Sequence, residues 1–412
     1  MGSRLRVVVV GSGGREHALA EVLGRTADVV VTPGNPAIPG STDTSVEDLV
    51  AGGSVDLVVI GPELPLVAGL ADRLRASGVA VFGPGADGAQ VEGSKAYMKD
   101  LALAAGLPTA RYGAFTELEP ALAFLQSLPG PYVVKTDGLA AGKGVLVTDS
   151  LAEAEVDVRD KLAGASFGDA GKRVVIEEGL TGPEVSVFAI CDGTRTVCLP
   201  AAQDVKRVGD GDVGPNTGGI GAWSPLPFVA SDFEEDVARR FVEPTLAELR
   251  KRGIDYRGVL YAGFMITAEG PKLIEYNIRF GDPDSQVVLL RMTSDLAALL
   301  AAAAAGDLTA GPPPAFSDDA AVLVVAASEG YPGTPRTGDV IHGLAAAQAV
   351  PGVTVFGAGV KAAGDGALVT AGGRVLNVVG RGPDVAAARA QAYEAVALLS
   401  WPGMHHRTDI AG

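Results

Sequence analysis

Short apolar runs alternate with helical patterns through the N-terminal part of the chain. Valine-rich runs that end in glycine or proline predict buried strands, and the segments between them have the apolar spacing of helices. The pattern predicts strands over residues 5–10, 28–32, 56–60 and 79–82, with helices over residues 15–23 and 66–76. This βαβ rhythm indicates an α/β lobe with a mainly parallel sheet.

The loops that follow these strands share one edge of the predicted sheet. They begin at Gly11, Thr32, Gly61 and Gly83, and each contains glycine or proline. Ligands of open α/β sheets bind along the edge at which the strands end. We therefore expect a binding site at this edge.

From residue 95 onward the pattern changes to strands joined by tight turns, which favours a substantially antiparallel, α+β arrangement. It predicts helices over residues 95–105 and 232–252, and strands over residues 132–135, 145–148, 174–178, 185–190, 196–200, 258–266 and 272–276. Residues 208–221 are rich in Gly and Asp. Because such a segment buries little apolar surface, we interpret it as a mobile functional loop.

A last part of the chain follows a Pro- and Ala-rich linker at residues 305–316. Its pattern predicts strands over residues 321–326, 353–356 and 375–379, closed by a helix over residues 385–399. A chain of 412 residues exceeds one ordinary hydrophobic core. It should therefore divide into lobes with sites in the clefts between them.

The charge balance argues against nucleic acid as a partner. The chain has 33 Lys and Arg against 49 Asp and Glu, and the net charge of −16 repels polyanions. Its longest uncharged apolar run, residues 296–305, is far shorter than the roughly 18 residues that span a bilayer. Arg6 interrupts the first apolar run, which does not read as a signal peptide. We expect a cytoplasmic protein that binds small molecules, with no nucleic-acid or membrane partner.

The first candidate site is the turn Gly11-Ser12-Gly13-Gly14, which follows a predicted strand and opens a predicted helix. Backbone amides at such a helix start bind anions. The turn is not a dinucleotide fingerprint, because Glu16 stands where the third glycine belongs and the second strand lacks a following acidic residue. Either phosphate binding or a simple strand-to-helix turn fits this pattern.

The second candidate is a glycine-rich segment from Lys135 to Gly144, which carries Gly138, Gly142 and Lys143. It differs from a P-loop because the first glycine and the Gly-Lys pair are one residue too close, and Gly144 replaces the Ser or Thr that holds magnesium. The residues that follow predict a strand. We interpret the segment as a hairpin loop with a lysine at its tip, which either folds over a polyphosphate or is simply solvated.

The third candidate is the strand end Glu275-Tyr276-Asn277-Ile278-Arg279. On an extended backbone Glu275, Asn277 and Arg279 point to one face. A carboxylate and an amide suit Mg²⁺ when phosphates and water complete the octahedron, and a guanidinium grips a carboxylate with two hydrogen bonds. We interpret this face as functional rather than as a solvated surface.

A fourth candidate, residues 175–184, is a predicted strand that runs into an acidic turn. Its backbone groups suit a planar base, and a carboxylate such as Glu184 suits ribose hydroxyls. Acidic turns are commonly just solvated. On its own this segment therefore indicates nothing.

Taken in order, the motifs resemble those of the phosphoribosylamine-glycine ligase family of ATP-grasp enzymes. The matching strings are GSGGREHALA, GPELPLVAG, EGSKAYMKD, VVKTDGLAAGKGV, VVIEEGLTGPEVS, KRVGDGDVGPNTGGIGAWSP and LIEYNIRFGDPD. They cover nearly the whole chain, and the last two are the most specific. The resemblance implies an N-terminal parallel-sheet lobe over residues 1–98, a central ATP-grasp domain over residues 99–304 with a lid at about residues 112–182, and a small C-terminal lobe over residues 305–412.

The resemblance also implies roles for individual residues. For the cofactor ATP, these are Lys99, Lys135 and Lys143 at the phosphates, Glu178 to Leu180 at adenine, and Glu184 at ribose, with Gly138, Gly142 and Glu177 as further ATP-binding residues. For Mg²⁺ or Mn²⁺ they are Glu275 and Asn277. For glycine and 5-phosphoribosylamine they are Arg279 at the glycine carboxylate, with Gly11, Ser12, Gly13, Gly14, Pro62, Glu63 and Asp212. For catalysis they are Lys143, Arg279 and Asn216.

The implied activity joins glycine to 5-phosphoribosylamine with ATP through a glycyl phosphate intermediate, in a monomer or weak dimer of purine biosynthesis. Another ATP-grasp carboxylate-amine ligase or a carboxylase is the nearest alternative, and a non-catalytic nucleotide sensor is a further one. The face formed by Glu275, Asn277 and Arg279 is called the metal face below. This face, together with Lys143, argues against a sensor, because a sensor needs neither of them. The strand over residues 258–266 lacks the acidic metal ligand that many ATP-grasp enzymes carry, so we expect one metal site to be held less by the protein.

Overall fold

The chain begins with an α/β lobe built on a parallel sheet. A computed structural model describes residues 4–139, 144–164 and 173–412. The sheet has the order β2-β1-β3-β4, and its three strand pairs are parallel, as the valine-rich runs predict. Its elements are β1 (Arg6–Gly11), α1 (Gly14–Leu23), β2 (Asp28–Pro33), α2 (Val46–Ala51), β3 (Leu57–Ile60), α3 (Glu63–Val67), α4 (Leu70–Ala76) and β4 (Ala80–Phe82).

The prediction of one helix over residues 66–76 is wrong. The chain forms α3 and α4 there, separated at Gly69, whose φ of 76° lies in the left-handed region that glycine tolerates. The break lets α3 begin directly after β3. Pro62 and Glu63 therefore stand at the carboxyl edge of the sheet, at the start of α3.

A small antiparallel sheet follows two connecting helices. The helices are α5 (Gln90–Gly93) and α6 (Lys95–Ala104), and the sheet has the order β5-β8-β6-β7. Its described elements are β5 (Tyr112–Phe115), α7 (Leu118–Gln126), β6 (Tyr132–Thr136), β7 (Val145–Thr148), α8 (Leu151–Leu162) and β8 (Val174–Glu178). Strands β6 and β7 form the antiparallel hairpin that the sequence predicts around the second glycine cluster.

The central sheet is antiparallel and has the order β10-β9-β13-β14. Its strands are β9 (Glu184–Asp192), β10 (Thr196–Cys198), β13 (Arg257–Thr267) and β14 (Gly270–Asn277). The predicted helix over residues 232–252 is divided into α9 (Phe233–Val237), a π-helical turn (Ala238–Val242) and α10 (Glu243–Lys251). Two helices, α11 (Asp284–Arg291) and α12 (Leu296–Ala305), and a 3-10 turn (Leu308–Ala310) lead out of this part.

The prediction of a mobile loop over residues 208–221 is wrong. This segment belongs to a β-hairpin of β11 (Gln203–Gly209) and β12 (Val213–Ser224). Strand β12 also pairs with a strand about a hundred residues later, in the register Gly221 to Val324. Neighbouring strands satisfy the backbone of this Gly-rich segment, which has few side chains to pack.

The C-terminal lobe shares its sheet with that hairpin, in the order β11-β12-β15-β19-β16. Its elements are β15 (Ala320–Ala327), α13 (Leu344–Gln348), β16 (Val353–Gly357), β17 (Val360–Ala362), β18 (Leu368–Thr370), β19 (Arg374–Gly382) and α14 (Val385–Val396). Strand β15 is buried along its whole length. The hairpin therefore ties the central part to the C-terminal lobe.

The predicted fold class is confirmed. The N-terminal sheet is parallel, and the later sheets are antiparallel. Helix α1 packs against α11 of the central part, and Phe280 contacts Phe82 of the first lobe, so one hydrophobic core runs between them. None of the helices in the described ranges combines the length and the apolar character needed to cross a membrane.

Candidate active site

Strand β14 presents Glu275 and Asn277 on one face, as their spacing predicts. In the central sheet Glu275 lies opposite Gly263, and Asn277 lies opposite Tyr261. Burial alone would raise the pKa of Glu275, but the charges of Lys206, Lys135 and neighbouring cations bring that pKa below its usual value. Glu275 is therefore an ionised carboxylate in a cationic environment.

This donor set fits a divalent cation that is also bound by phosphate. Among the described residues, no group of three or more His, Cys, Asp or Glu side chains could hold a metal ion by itself. Glu275 and Asn277 supply one carboxylate and one amide oxygen. Mg²⁺ and Mn²⁺ accept such sparse protein support when phosphates and water supply the other ligands.

Two of the predicted ATP lysines meet at a buried carboxylate. The Nζ atoms of Lys99 and Lys135 each lie 2.7 Å from Glu177, one at each carboxylate oxygen. Lys99 is fully buried; burial lowers its pKa to about 8 despite the Glu177 charge, and it also donates to Thr109. Burial alone would raise the pKa of Glu177, yet both lysines hold it below its usual value. Glu177 thus positions the two lysines.

The glycine-rich loop after β6 is held by the start of α6. Lys95 donates from Nζ to the carbonyl of Gly138 at 2.8 Å, and Ser94 donates to Asp137 at 3.0 Å. The predicted site residues Gly142 and Lys143 lie outside the described residues. Lys95 is a cation near the metal face that the sequence interpretation missed, because a lysine at a helix start carries no pattern of its own.

The turn predicted to meet adenine and ribose connects β8 to β9. Glu178 accepts from the backbone N–H of Arg111 at 3.0 Å, and Leu180 is half-buried in the turn. The Glu184 carboxylate lies 2.6 Å from Lys206 Nζ. Glu184 therefore pairs with a lysine in this structure, and its contact with ribose stays a prediction.

Arg279 reaches from the metal face to the N-terminal lobe. Its Nη2 donates to Glu92 at 3.2 Å and to the Asn277 side chain at 3.3 Å, and its Nε lies 3.6 Å from Glu63. Burial alone would lower the pKa of Arg279, but Glu92 and Glu63 raise it. The Nε atom is buried and has no hydrogen-bond partner in the described structure. It is a donor available to an acidic ligand.

The Gly11 turn is closed from within by Glu16. The Gly13 N–H donates to Glu16 Oε2 at 2.6 Å, and Arg15 pairs with Glu16 at 2.5 Å. A Cβ at Gly11 would lie 2.5 Å from the Glu16 side chain, so glycine is needed for this approach. The Glu16 carboxylate therefore accepts a hydrogen bond from one of the backbone amides that the sequence predicts to bind phosphate.

A cavity of about 420 Å³ lies where all three parts of the chain meet. Its lining includes Ser12, Gly13, Asn216, Asp282, Tyr331 and Arg374. Asn216 is brought to this cavity by β12, but Asp212 is not among its lining residues. Asp212 is exposed at the hairpin tip and pairs with Arg407 at 2.6 Å. Substrate binding by Asp212 stays a prediction.

Further ionisable residues that the sequence interpretation missed surround the metal face. Asp204 and Lys206 come from β11, and Asp284 begins α11. Burial alone would lower the pKa of Lys206, but Asp204 and Glu184 raise it well above its usual value. An alternating Asp-x-Lys pattern was the available signal, but no strand is predicted from the sequence over β11.

Comparisons with known proteins agree with this architecture. Family models match residues 5–92 (phosphoribosylglycinamide synthetase, N domain), 93–285 (ATP-grasp domain) and 321–412 (C domain). The phosphoribosylamine-glycine ligase of Streptomyces coelicolor is 49% identical over 99% of each chain, and that of Brucella melitensis is 47% identical over 98% of this chain and 97% of its own.

Solved structures give the same result. The phosphoribosylamine-glycine ligase of Thermotoga maritima has a TM-score of 0.85 at 34% identity, covering 98% of this chain and all of its own (100%). The biotin carboxylase domain of Hydrogenobacter thermophilus 2-oxoglutarate carboxylase has a TM-score of 0.75 at 16% identity, covering 98% of this chain and 92% of its own, which shows a shared fold alone. The chain belongs to the phosphoribosylglycinamide synthetase family of ATP-grasp ligases.

Proposed function

We propose that this chain joins glycine to 5-phosphoribosylamine with ATP, and forms glycinamide ribonucleotide, ADP and phosphate in purine biosynthesis. The observation that carries the proposal is the shared face of Glu275, Asn277 and Arg279 beside the Lys99-Glu177-Lys135 group. Membership of a ligase family supports the same activity. A carboxylase is not favoured, because the biotin carboxylases of Hydrogenobacter thermophilus and Campylobacter jejuni share the fold at only 16% and 13% identity.

The ATP phosphates bind between the lysines and the metal face in this proposal. Lys99 of α6 and Lys135 of β6 supply two positive charges. The carboxylate of Glu275 in β14 is influenced by the charge of Lys135. Adenine lies along the β8–β9 turn near Glu178 and Leu180, and ribose lies near Glu184, whose carboxylate Lys206 then releases. Gly142 and Lys143, which lie outside the described residues, would also contact the phosphates.

A divalent cation, Mg²⁺ or Mn²⁺, would be held by Glu275 and Asn277 and would neutralise charge on the transferring phosphoryl group. The remaining steps need only positioning by the chain. Arg279 presents the glycine carboxylate, and one carboxylate oxygen attacks the γ-phosphorus while ADP leaves. The amine of 5-phosphoribosylamine then attacks the carbonyl carbon of glycyl phosphate, and phosphate leaves with that oxygen.

Phosphoribosylamine is proposed to occupy the cavity between the three parts of the chain. The cavity volume of about 420 Å³ falls within the range of small-molecule sites. Its phosphate half would meet backbone amides of the Gly11 turn and the start of α3 at Pro62 and Glu63. Asn216 lines the same cavity. We also propose that the enzyme acts in the cytoplasm as a monomer or weak dimer.

The test follows an oxygen label through turnover. The purified protein is incubated with ATP, freshly made phosphoribosylamine and glycine labelled with heavy oxygen in its carboxylate, and each substrate is omitted in turn. We expect ADP formation that requires all three substrates, with label in inorganic phosphate. Label in AMP contradicts the acyl-phosphate path, and ADP formation without glycine contradicts the proposed substrate.

A further inference from the structure

Two buried carboxylates beside the metal face lack an adequate positive partner. Asp284 has only 2% of its surface exposed. Tyr261 donates to its Oδ2 at 3.1 Å, but its Oδ1 has no hydrogen-bond partner in the described structure. The side chain of Asp204 is 8% exposed, and its Oδ2 lies 4.0 Å from Lys206 Nζ.

Lys206 does not neutralise both carboxylates. Its Nζ is 2.6 Å from Glu184, which leaves Asp204 at the longer distance and Asp284 without an ion pair to it. Burial raises the pKa of Asp204 to about 8, and burial also raises the pKa of Asp284. Buried carboxylates are stable when a cation or hydrogen-bond donors compensate them. The cluster therefore accommodates a further positive charge.

Gly263 lies beside this cluster in the central sheet. It is opposite both Ser186 and Glu275 in the sheet register. A Cβ at Gly263 would make only ordinary contacts with Glu275, the nearest at 3.7 Å. Glycine at this position therefore leaves the face free of a side chain between Glu275 and Ser186, whose hydroxyl is 2.8 Å from that of Tyr261.

We propose that Asp204 and Asp284 form the subsite for the primary ammonium group of the amino-acid substrate. An ammonium brings one charge and three donors, which match the unpartnered Asp284 oxygen and the poorly paired Asp204. The proposal rests on the function proposed above.

Arg279 and Asp284 lie on the short stretch of chain that leads from β14 into α11, and Arg279 is the residue that would present the glycine carboxylate. In this proposal the same stretch binds both ends of glycine. An ammonium between two carboxylates keeps its proton. A protonated amine is not a nucleophile, so the glycine amino group could not attack a glycyl phosphate. This subsite would leave the amine of phosphoribosylamine as the attacking group.

The test compares glycine with glycolate, which has the same carboxylate but a hydroxyl in place of the ammonium. The glycine KM and the inhibition constant of glycolate are measured for the wild type, Asp284→Asn and Asp204→Asn. Loss of a charged hydrogen bond should raise the glycine KM roughly tenfold to a hundredfold. Glycolate inhibition and the KM values of ATP and phosphoribosylamine should change by less than about threefold.

The exposed carboxylate of Asp318 provides the control variant Asp318→Asn, and thermal unfolding reports whether each variant is folded. An unchanged glycine KM in the folded variants overturns the proposal. So does an equal loss of glycine and glycolate, or an effect confined to phosphoribosylamine or to the metal requirement. The proposed function is tested first on the wild type: if another amino acid supports ADP formation, that acid and its hydroxy analogue replace glycine and glycolate.

Discussion

Arg279 is the side chain at which the N-terminal lobe meets the central sheet. Glu63 and Glu92 approach it from the first lobe, and Asn277 approaches it from β14. A buried guanidinium with two acidic neighbours and an unpartnered Nε is already oriented. It therefore needs little rearrangement to receive a carboxylate.

Arg279→Lys should raise the glycine KM by about tenfold or more and change the ATP KM by less than about twofold, because an ammonium cannot reproduce the two-pronged grip on a carboxylate. Initial rates at varied glycine and varied ATP measure both values. Arg252→Lys, at an arginine that pairs with Glu248 and Asp100, is the control. Equal changes in both KM values would mean that Arg279 serves the nucleotide.

His17 makes the stability of the molecule depend on acid. Its Nδ1 accepts from the backbone N–H of Gly357 in β16, and burial lowers its pKa from 6.5 to about 4. Between pH 6.5 and about pH 4, His17 is protonated in the unfolded chain and neutral in the folded chain. Folding stability therefore falls as the pH falls through this window.

His17→Gln should weaken this pH dependence, because glutamine has an oxygen acceptor but does not titrate. The wild type should lose up to about 1.4 kcal/mol of unfolding free energy per pH unit through this group between pH 6.5 and 4. Urea unfolding at a series of pH values measures the loss. The exposed His342 gives the control His342→Gln, and parallel curves for wild type and His17→Gln would contradict the prediction.

At the scale of elements, the turn between β8 and β9 is fixed by its contact with β13. Gly182 has φ of 146°, and a Cβ there would lie 2.1 Å from the Ile266 carbonyl oxygen. The Ile266 N–H in turn donates to the Pro183 carbonyl at 3.0 Å. Only glycine permits this approach, which sets the height of the turn above the central sheet.

Gly182→Ala should raise the ATP KM by roughly tenfold while the glycine KM stays nearly constant, because the backbone clash must move the turn. Gly270→Ala is the matched control: Gly270 has φ of 109°, but a Cβ there would meet nothing within 4 Å. It therefore carries the backbone strain without the clash. If both variants raise the ATP KM alike, the effect comes from strain and the prediction fails.

The elements differ in how far the sequence predicts them. The shared face of Glu275 and Asn277 follows from alternation along a single strand, and the structure has it as predicted. Arg279 lies beyond the end of β14 and meets this face through a hydrogen bond to Asn277. The β11–β12 hairpin was missed because its pairing partner β15 is distant in the sequence and its own residues are rich in glycine. Asp284 was missed as a site residue for a similar reason, since its contact with Tyr261 of β13 exists only in the folded chain.

At the scale of the whole molecule, the C-terminal segment holds the tip of that hairpin. Arg407 donates from Nη1 to Asp212 at 2.6 Å and to the Arg207 carbonyl at 3.0 Å. Asp409 accepts from the Gly211 N–H at 2.7 Å, and Thr408 donates from its N–H to Asp210 at 2.8 Å. The end of the chain therefore fixes a hairpin whose other half carries Asn216.

Arg407→Ala should therefore affect a site to which Arg407 makes no contact. Without the guanidinium, Asp212 and Asp409 lose their shared partner at the hairpin tip, and β12 is held less firmly where Asn216 lines the cavity. We expect the KM of phosphoribosylamine to rise by about five- to tenfold, with the ATP KM nearly unchanged, because a small displacement of a positioning residue is costly. Initial rates at varied phosphoribosylamine measure the change.

Arg336→Ala is the matched control, since Arg336 also pairs with two carboxylates, Glu329 and Asp339, but does not contact the hairpin. If Arg407→Ala lowers the melting temperature but leaves the phosphoribosylamine KM as it is, the C-terminal segment stabilises the lobe without positioning the cavity wall.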